Sequence, residues 1–344
     1  MIDHGRQGSR KNYRLHRARL ACAAAMLTFG WAIAAVAQPA PGWKPGKNVE
    51  IIVPTATGGG ADRFGRSIQR ILQGHGWIES ATVVNKPGGG GAIGLNYLHQ
   101  QDGDPHFVLL HTEPLVTNRI MGRNPLDYSV VTPIALLTFE DLIYSVRADS
   151  PIKDGRDLLE MLRKDPTSVA MSVGSAVGNN SHMAMGMVGR QAGVDVQKLK
   201  IVIFKSGGEA TTALLGGHID LFISTLTPVL RHIEAGKLRA IAVTSDRRLS
   251  GAAATIPTWK EQGVDVAFSS WRVAVAAKGI TPAQVAFWEE TFGRLVQTEE
   301  WRKDLDRYFL RDAYLSSADT RKFLSEQQSR LQGILGALGL AKNQ

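Results

Sequence analysis

The sequence predicts an α/β fold with two mostly parallel sheets flanked by helices. First, β-branched runs alternate with segments of helical periodicity along most of the chain. Second, the runs end repeatedly in loops rich in Gly, Thr, Ser or Pro. Third, this pattern occurs twice, with three loops in 55–113 and three in 174–228. Because the carboxyl ends of parallel strands lie at one edge of a sheet, each set of loops is expected to line one wall of a cleft.

The first 37 residues are expected to be an export signal outside the fold. Six Lys and Arg residues precede an uncharged run over 20–36, and Ala35-Val36-Ala37 fits a cleavage site before Gln38. A membrane anchor is the alternative, because the apolar run approaches the length that spans a bilayer. Cleavage would remove the single cysteine, Cys22, so the mature chain would contain no disulfide and no thiolate metal site.

The charge of the remaining chain is modest. It has 34 basic and 30 acidic residues, a net charge of +4, against +9 for the whole sequence. These charges are scattered, so no nucleic-acid partner is expected. Removal of the 37-residue signal from the 344 residues would leave 307 residues, enough to form two hydrophobic cores.

The first predicted unit is a strand over 49–53, a loop, and a helix in which Phe64, Ile68 and Ile71 recur at helical spacing. The loop carries Thr55, Thr57 and three glycines. Such a loop lets backbone N–H groups approach a ligand, and a helix N-terminus favours negative charge. The third glycine of the dinucleotide-binding motif GxGxxG is missing, so no dinucleotide site is predicted. The GK[ST] sequence of a phosphate-binding loop does not follow either, so no such loop is predicted. A tight turn without a ligand is the alternative.

Two acidic residues near these loops have open roles. Asp62, in the first helical turn, could interact with the helix N-terminus alone, accept N–H groups from a ligand, or fix the loop. Glu113 follows a strand predicted over 107–110 and would repel an anion. It either points away or contacts a ligand hydroxyl.

The remaining predicted elements continue the alternation. Further strands are expected over 82–84, 142–146, 168–173, 201–204, 219–223 and 240–243. A strand over 268–277 would return the chain to the first sheet, and helices are expected over 282–296, 299–310 and 318–335. In that return strand, Trp271 and Arg272 either close on a ligand or are buried in the hinge.

Catalytic motifs are missing from the sequence. Ser150-Pro151-Ile152-Lys153 matches SxxK in spelling, but its companion motifs are missing, and no GxSxG occurs. No His pair has metal-ligand spacing, and no nucleophile has a plausible base. We therefore expect a protein that is not an enzyme and that uses no metal or cofactor.

Several segments resemble the periplasmic substrate-binding receptors of tripartite tricarboxylate transporters, the Bug receptor family. They occur in the family's order across 43–340 and comprise 53–62, 84–94, 205–208, 215–220, 235–239 and 257–263. The stretches 205–220 and 257–272 look most like the tricarboxylate-binding branch. The chain departs from the family pattern at Thr55, where an aromatic residue is common, and at His111-Thr112-Glu113, which is normally small and hydroxylated.

The resemblance implies a two-lobed periplasmic-binding-protein (Venus flytrap, type II) architecture. Lobe 1 would comprise 43–141 and 267–344, and lobe 2 would comprise 142–266, with the ligand cleft between them. The resemblance also implies a monomeric periplasmic receptor that captures an organic di- or tricarboxylate such as citrate and delivers it to membrane permease subunits. Family members hold carboxylates with loop N–H groups, hydroxyls and waters, which carries over to Thr55, Thr57, Gly59, Gly60, Asp62, Thr112, Ser175, Gly178, Asn179 and Asn180, and less closely to Lys205, Ser206 and Thr225.

Two other functions remain open from the sequence. One is an α/β enzyme acting on an anionic substrate, against which the missing nucleophile, metal cluster and cofactor fingerprints argue. The other is a ligand-binding co-sensor that feeds a signalling system instead of a transporter.

Overall fold

The computed structural model describes Met1 and residues 42–174, 176–204 and 206–342. The predicted export signal, except Met1, and the predicted site residues Ser175 and Lys205 lie outside the described residues. Every strand and helix among the described residues belongs to one compact unit, Trp43–Gln344.

Strands and helices alternate through most of this unit. The strands are β1 (Val49–Val53), β2 (Ala81–Asn85), β3 (Phe107–His111), β4 (Val131–Asp141), β5 (Ile143–Arg147), β6 (Met171–Ser172), β7 (Ile201–Val202), β8 (Leu221–Ser224), β9 (Leu238–Val243), β10 (Ser269–Ala277) and β11 (Leu310–Leu315). The α-helices are α1 (Gly60–Gly74), α2 (Ala92–His99), α3 (Pro114–Ile120), α4 (Gly155–Lys164), α5 (Asn180–Gln191), α6 (Gly207–Leu215), α7 (Leu230–Glu234), α8 (Pro282–Leu295), α9 (Glu299–Tyr308) and α10 (Ser317–Ala337).

The strands form two sheets, which confirms the predicted fold class. The first has the order β11-β4-β10-β3-β1-β2 and the second β7-β6-β8-β5-β9. β1 pairs in parallel with β2 and β3, and β6 pairs in parallel with β7 and β8. The antiparallel pairs are β10–β3, β10–β4 and β11–β4 in the first sheet and β5–β8 and β5–β9 in the second. β10 lies between β3 and β4, so the chain returns to the first sheet as predicted.

Burial on both faces explains the unbroken β-branched run of β1. Val49, Ile51 and Val53 pack into one hydrophobic cluster with Phe64 of α1, whereas Ile52 points into another cluster. A strand covered on both sides needs apolar residues at successive positions. This packing fixes α1 against the sheet and sets the position of the loop between them.

The chain crosses between the sheets at two neighbouring points. Leu142 alone separates β4 from β5, and Thr244 begins the longer connection from β9 to β10. The two backbones are tied where they cross, because Leu142 N–H donates to Thr244 Oγ1 at 2.9 Å and Thr244 N–H donates to the Leu142 carbonyl at 3.0 Å. The two sheets are therefore joined by two chain crossings that are hydrogen-bonded to each other.

The predicted alternatives for Trp271 and Arg272 are resolved in favour of burial. Trp271 is 1% exposed and lies edge-on to Phe323, with ring centroids 5.9 Å apart. Arg272 forms an ion pair with Glu140 across the β10–β4 pair. Both residues hold the return strand in place.

None of the helices in the described part of the chain is both long enough and apolar enough to cross a membrane.

Candidate ligand-binding site

The loop after β1 presents an uncapped helix N-terminus. α1 begins at Gly60, and its N-cap residue Gly59 has an extended backbone and makes no side-chain cap hydrogen bond. Thr55, Thr57, Gly59 and Gly60 are all exposed. Since the first N–H groups of a helix have no intrahelical partner, those of α1 can bind water or an anion, and the helix dipole favours the anion.

Asp62 fixes the shape of this loop. Its Oδ2 accepts the Gly58 N–H at 3.0 Å and Arg66 Nε at 2.9 Å. Its Oδ1 accepts Asn85 Nδ2 at 3.0 Å, which links the loop to the end of β2. Burial opposes ionisation, but the hydrogen bonds outweigh it and hold the pKa of Asp62 below its usual value. Among the roles considered for Asp62, the structure therefore shows loop fixing.

The glycine-rich loop after β2 packs closely on its neighbours. Residues 88–91 all have positive φ, a region that favours glycine. A Cβ on Gly91 would lie only 2.6 Å from His111 Nε2, and Asn118 Nδ2 donates to the Gly90 carbonyl at 3.0 Å. Burial lowers the pKa of His111 to about 4, so this side chain is neutral at pH 7. His111 is thus a structural neighbour of the loop.

Thr112 and Glu113 follow β3 and differ in their surroundings. Thr112 is half-buried, and its N–H donates to His111 Nδ1 at 2.9 Å. Glu113 is 1% exposed, and its carboxyl group faces β10. Oε1 accepts the Trp271 N–H at 2.9 Å, and Oε2 accepts Ser270 Oγ at 3.0 Å. Burial raises the pKa of Glu113 to about 7. Of its two predicted roles, pointing away is the one observed.

The N-terminus of α5 is capped by side chains, unlike that of α1. Asn179 Oδ1 accepts the His182 N–H at 3.0 Å, and its Nδ2 donates to the Val173 carbonyl at 2.6 Å. Gly178 donates its N–H to His182 Nδ1 at 2.9 Å, so this amide is unavailable to a ligand in this arrangement. Asn180 is half-buried, and its Oδ1 accepts the Ser181 N–H. His182 is itself buried, and its bond to the Gly178 N–H gives it a structural role in this loop.

Ser206 and Thr225 lie at two further strand ends of the second sheet. Ser206 is exposed and caps α6, with Oγ accepting the Glu209 N–H at 3.2 Å. Thr225 is half-buried, and its carbonyl accepts Ser224 Oγ at 2.8 Å. Both hydroxyl residues keep side-chain surface exposed at the edge of the sheet.

Sheet topology brings the predicted residues into two groups. β1 and β3 are parallel neighbours, so Thr55, Thr57 and Thr112 follow strands that end at one edge of the first sheet. β7, β6 and β8 are parallel neighbours in the second sheet, which groups the residues of 178–180 with Ser206 and Thr225. The segment after α3 touches the second group, because Arg123 Nη2 donates to the Val177 carbonyl at 2.9 Å.

Sequence reasoning did not single out Asn85 or Arg66, although both hold Asp62. An Asn after a strand and an Arg four residues after an Asp are common, so neither carries a specific signal. Within the described residues, no group of His, Cys, Asp and Glu is arranged to hold a metal ion.

A family model for the tripartite tricarboxylate transporter family receptor (TctC) matches residues 76–340. The chain belongs to this receptor family. A curated relative, protein BugT of Bordetella pertussis, is 25% identical over 301 residues, covering 86% of this chain and 90% of BugT. Receptors of this family are periplasmic solute-binding proteins, not enzymes, so an enzymatic function is excluded for this receptor.

Solved structures share the fold of this receptor. A TctC solute-binding protein from Polaromonas is 28% identical with a TM-score of 0.69, covering 85% of this chain and 99% of that protein. Rpa4515 of R. palustris, solved with adipate, is 24% identical with a TM-score of 0.76, covering 86% of this chain and 99% of that protein. The second likeness concerns the fold alone.

Proposed function

We propose that this receptor binds an organic di- or tricarboxylate of the citrate type and delivers it to the permease subunits of a tripartite tricarboxylate transporter. The observation that carries the proposal is the exposed N-terminus of α1, which no side chain caps. It offers neutral N–H donors to a carboxylate without a buried counter-ion. Adipate, the ligand of Rpa4515, is itself a dicarboxylate.

Binding is proposed to occur between two lobes, 43–141 with 267–344 and 142–266. Thr55, Thr57, Gly59, Gly60 and Thr112 would act from lobe 1, with Asp62 fixing their loop. Asn179, Asn180, Ser206 and Thr225 would act from lobe 2, where Gly178 shapes the loop, and Ser175 and Lys205 stay predictions. Closure would add affinity because both lobes contribute donors only when shut.

The proposal includes export and a monomeric state. Signal removal after Ala37 would leave a soluble periplasmic chain that begins at Gln38. Mass spectrometry of the protein recovered from periplasm would test this, since a retained segment 1–37 would contradict it.

A thermal-shift screen tests the ligand class. Citrate, malate and adipate should raise the melting temperature of the purified receptor, since a ligand that binds only the native state stabilises it. Lysine, a cationic amino acid, should not. If no carboxylate in the panel shifts the melting temperature while another class of solute does, the proposed ligand class is wrong.

The substitution Gly60→Leu tests the loop. A Cβ at Gly60 meets nothing within 4 Å and its φ is not positive, so the variant should fold while the side chain covers the adjacent N–H groups. Affinity for the acid selected by the screen should fall by about tenfold or more, measured by calorimetry, because about 1.4 kcal/mol of lost interaction corresponds to tenfold.

Gly74→Leu is the matched control for Gly60→Leu. Gly74 ends the same helix, and a Cβ there also meets nothing within 4 Å. Its affinity should equal that of the wild type. Unchanged affinity in a folded Gly60→Leu variant would contradict the assignment of this loop.

A further inference from the structure

A basic groove runs between α1 and α9, next to the proposed ligand loop. Its volume is about 520 Å³, and it is lined by five basic and two acidic side chains together with Ser67 and Tyr308. The basic residues are Arg63, Arg66, Arg70, Lys303 and Arg307, and the acidic residues are Glu300 and Asp304. The lining of this groove therefore has more basic than acidic side chains.

Two guanidinium groups of the groove carry positive charge that no carboxylate of the described residues compensates, whereas Arg66, Arg70 and Lys303 pair with Asp62, Asp304 and Glu299. Asp304 is held by Arg70 Nη2 at 2.7 Å and by Ser67. Among the described residues, Arg63 and Arg307 have no carboxylate partner; their guanidinium carbons lie 5.8 and 5.6 Å from the ring centroid of Tyr308. Stacking on an aromatic ring holds a guanidinium in place while leaving its N–H groups accessible.

Two of these arginines also hold the ligand loop. Arg63 Nη1 donates to the Gly58 carbonyl at 2.8 Å, and Arg66 Nε donates to Asp62 Oδ2 at 2.9 Å. The side chain of Arg66 is 52% exposed, so a carboxylate arriving in the groove can compete with Asp62 Oδ2 for the Arg66 guanidinium. Occupation of the groove would therefore loosen the hydrogen bonds that define residues 58–62.

We propose that this groove docks an acidic segment of a protein partner, and that docking loosens the ligand loop. The partner would be the permease, an identification that rests on the proposed receptor function. A groove between two helices admits a narrow chain carrying carboxylates. A flat anionic bilayer would instead favour a uniformly basic face, and Asp304 and Glu300 interrupt this one.

Fluorescein-labelled hexaglutamate is the probe for docking, measured by fluorescence anisotropy with the mature chain at low salt. We expect binding that weakens as salt is added. The double variant Lys303→Gln/Arg307→Gln should bind about tenfold more weakly, because it removes two charges from the groove. Arg321→Gln/Lys322→Gln, which removes two exposed charges from α10, is the matched control and should bind within about twofold of the wild type.

Absence of binding, or an equal loss in both double variants, would overturn the proposal. So would tight binding to phosphatidylglycerol vesicles that the groove variant alone loses, since this would assign the groove to lipid. A chain that binds hexaglutamate but no small carboxylate would refute the receptor function while leaving the groove's preference for acidic peptides standing.

Hydrogen exchange tests the connection to the ligand loop. Hexaglutamate should accelerate amide exchange in residues 58–62 of the wild type by a measurable factor. In Arg63→Gln, exchange there should already be faster without the peptide, because the bond to the Gly58 carbonyl is lost. Unchanged or slower exchange in the wild type would contradict loosening.

Discussion

Glu113 shows how a residue next to the predicted site can be bonded to the return strand β10. The sequence places an acid beside a predicted anion site, where it would repel the ligand. In the structure the carboxyl turns to β10 and accepts from Trp271 and Ser270. The carboxyl group therefore faces β10, and its protonation state contributes to the stability of that strand.

Glu113→Gln should flatten the dependence of stability on pH. The pKa of Glu113 is raised to about 7 in the folded protein, above the unfolded value near 4.5. The folded state therefore holds the proton more tightly, so this group's contribution to the free energy of unfolding falls as pH rises from about 4.5 to 7. The difference between wild type and variant, measured by urea unfolding at pH 5 and pH 8, isolates this contribution.

The pKa of Glu113 sets a limit on how far the free energy of unfolding can change with pH through this group, and a second variant serves as the control. A pKa raised from 4.5 to about 7 corresponds to an upper limit of about 3 kcal/mol in the free energy of unfolding. Glu326→Gln, at an exposed position of α10, should leave the pH dependence as it is in the wild type. A slope that is identical in Glu113→Gln and wild type would show that Glu113 does not titrate in this range.

At the scale of elements, the position of α1 against β1 determines where the loop N–H groups lie. Gly65 is the point of closest approach, since a Cβ there would be 2.7 Å from Val53 Cγ2. Asn85 at the end of β2 then fixes the loop through Asp62. The helix N-terminus is thus placed by packing at one end and by hydrogen bonds at the other.

Gly65→Ala should destabilise the protein although alanine favours helices. The added methyl group must displace the short, stiff side chain of Val53, at a cost of about 1–3 kcal/mol. Gly74→Ala in the same helix meets no neighbour and should stabilise by about 0.5–1 kcal/mol. Thermal and urea unfolding would measure both. Equal effects of the two changes would mean that α1 does not pack as the structure shows.

At the scale of the whole molecule, two backbone crossings tied through Leu142 and Thr244 connect the sheets. This arrangement suits a receptor that closes on its ligand, as we propose for lobes 1 and 2. The contact from Arg123 to the Val177 carbonyl is one that such a motion would change.

Ligand should make the receptor more compact. If the lobes close, saturating citrate or adipate, whichever binds more tightly, should lower the radius of gyration by on the order of 1 Å in small-angle X-ray scattering. The wild type without added acid is the comparison for unbound protein. A ligand that binds by calorimetry without changing the scattering would contradict closure.

Local patterns in the sequence predict elements where one residue type dominates, and they miss elements that depend on distant partners. The run in β1 and the helical spacing of α1 were predicted. β4 was not, because Pro133 argues against a strand, yet Pro133 pairs with Val275 where the register of the ladder shifts. β11 was not predicted either, and the expected helix over 299–310 ends earlier, where Phe309 adopts a left-handed backbone.

Spacing, composition and short motifs are enough to predict the fold class, the return of the chain to its first sheet, the family and the loops on which a site could be built. These depend on spacing and composition, which are local. Which groups those loops leave free depends on packing between distant segments. Asp62 and the Gly178 N–H are bonded within the chain, whereas the N-terminus of α1 is uncapped. The reason is that a hydrogen-bonding group is satisfied by whichever partner folding brings near, and Asn85, His182 and Trp271 are brought near by packing.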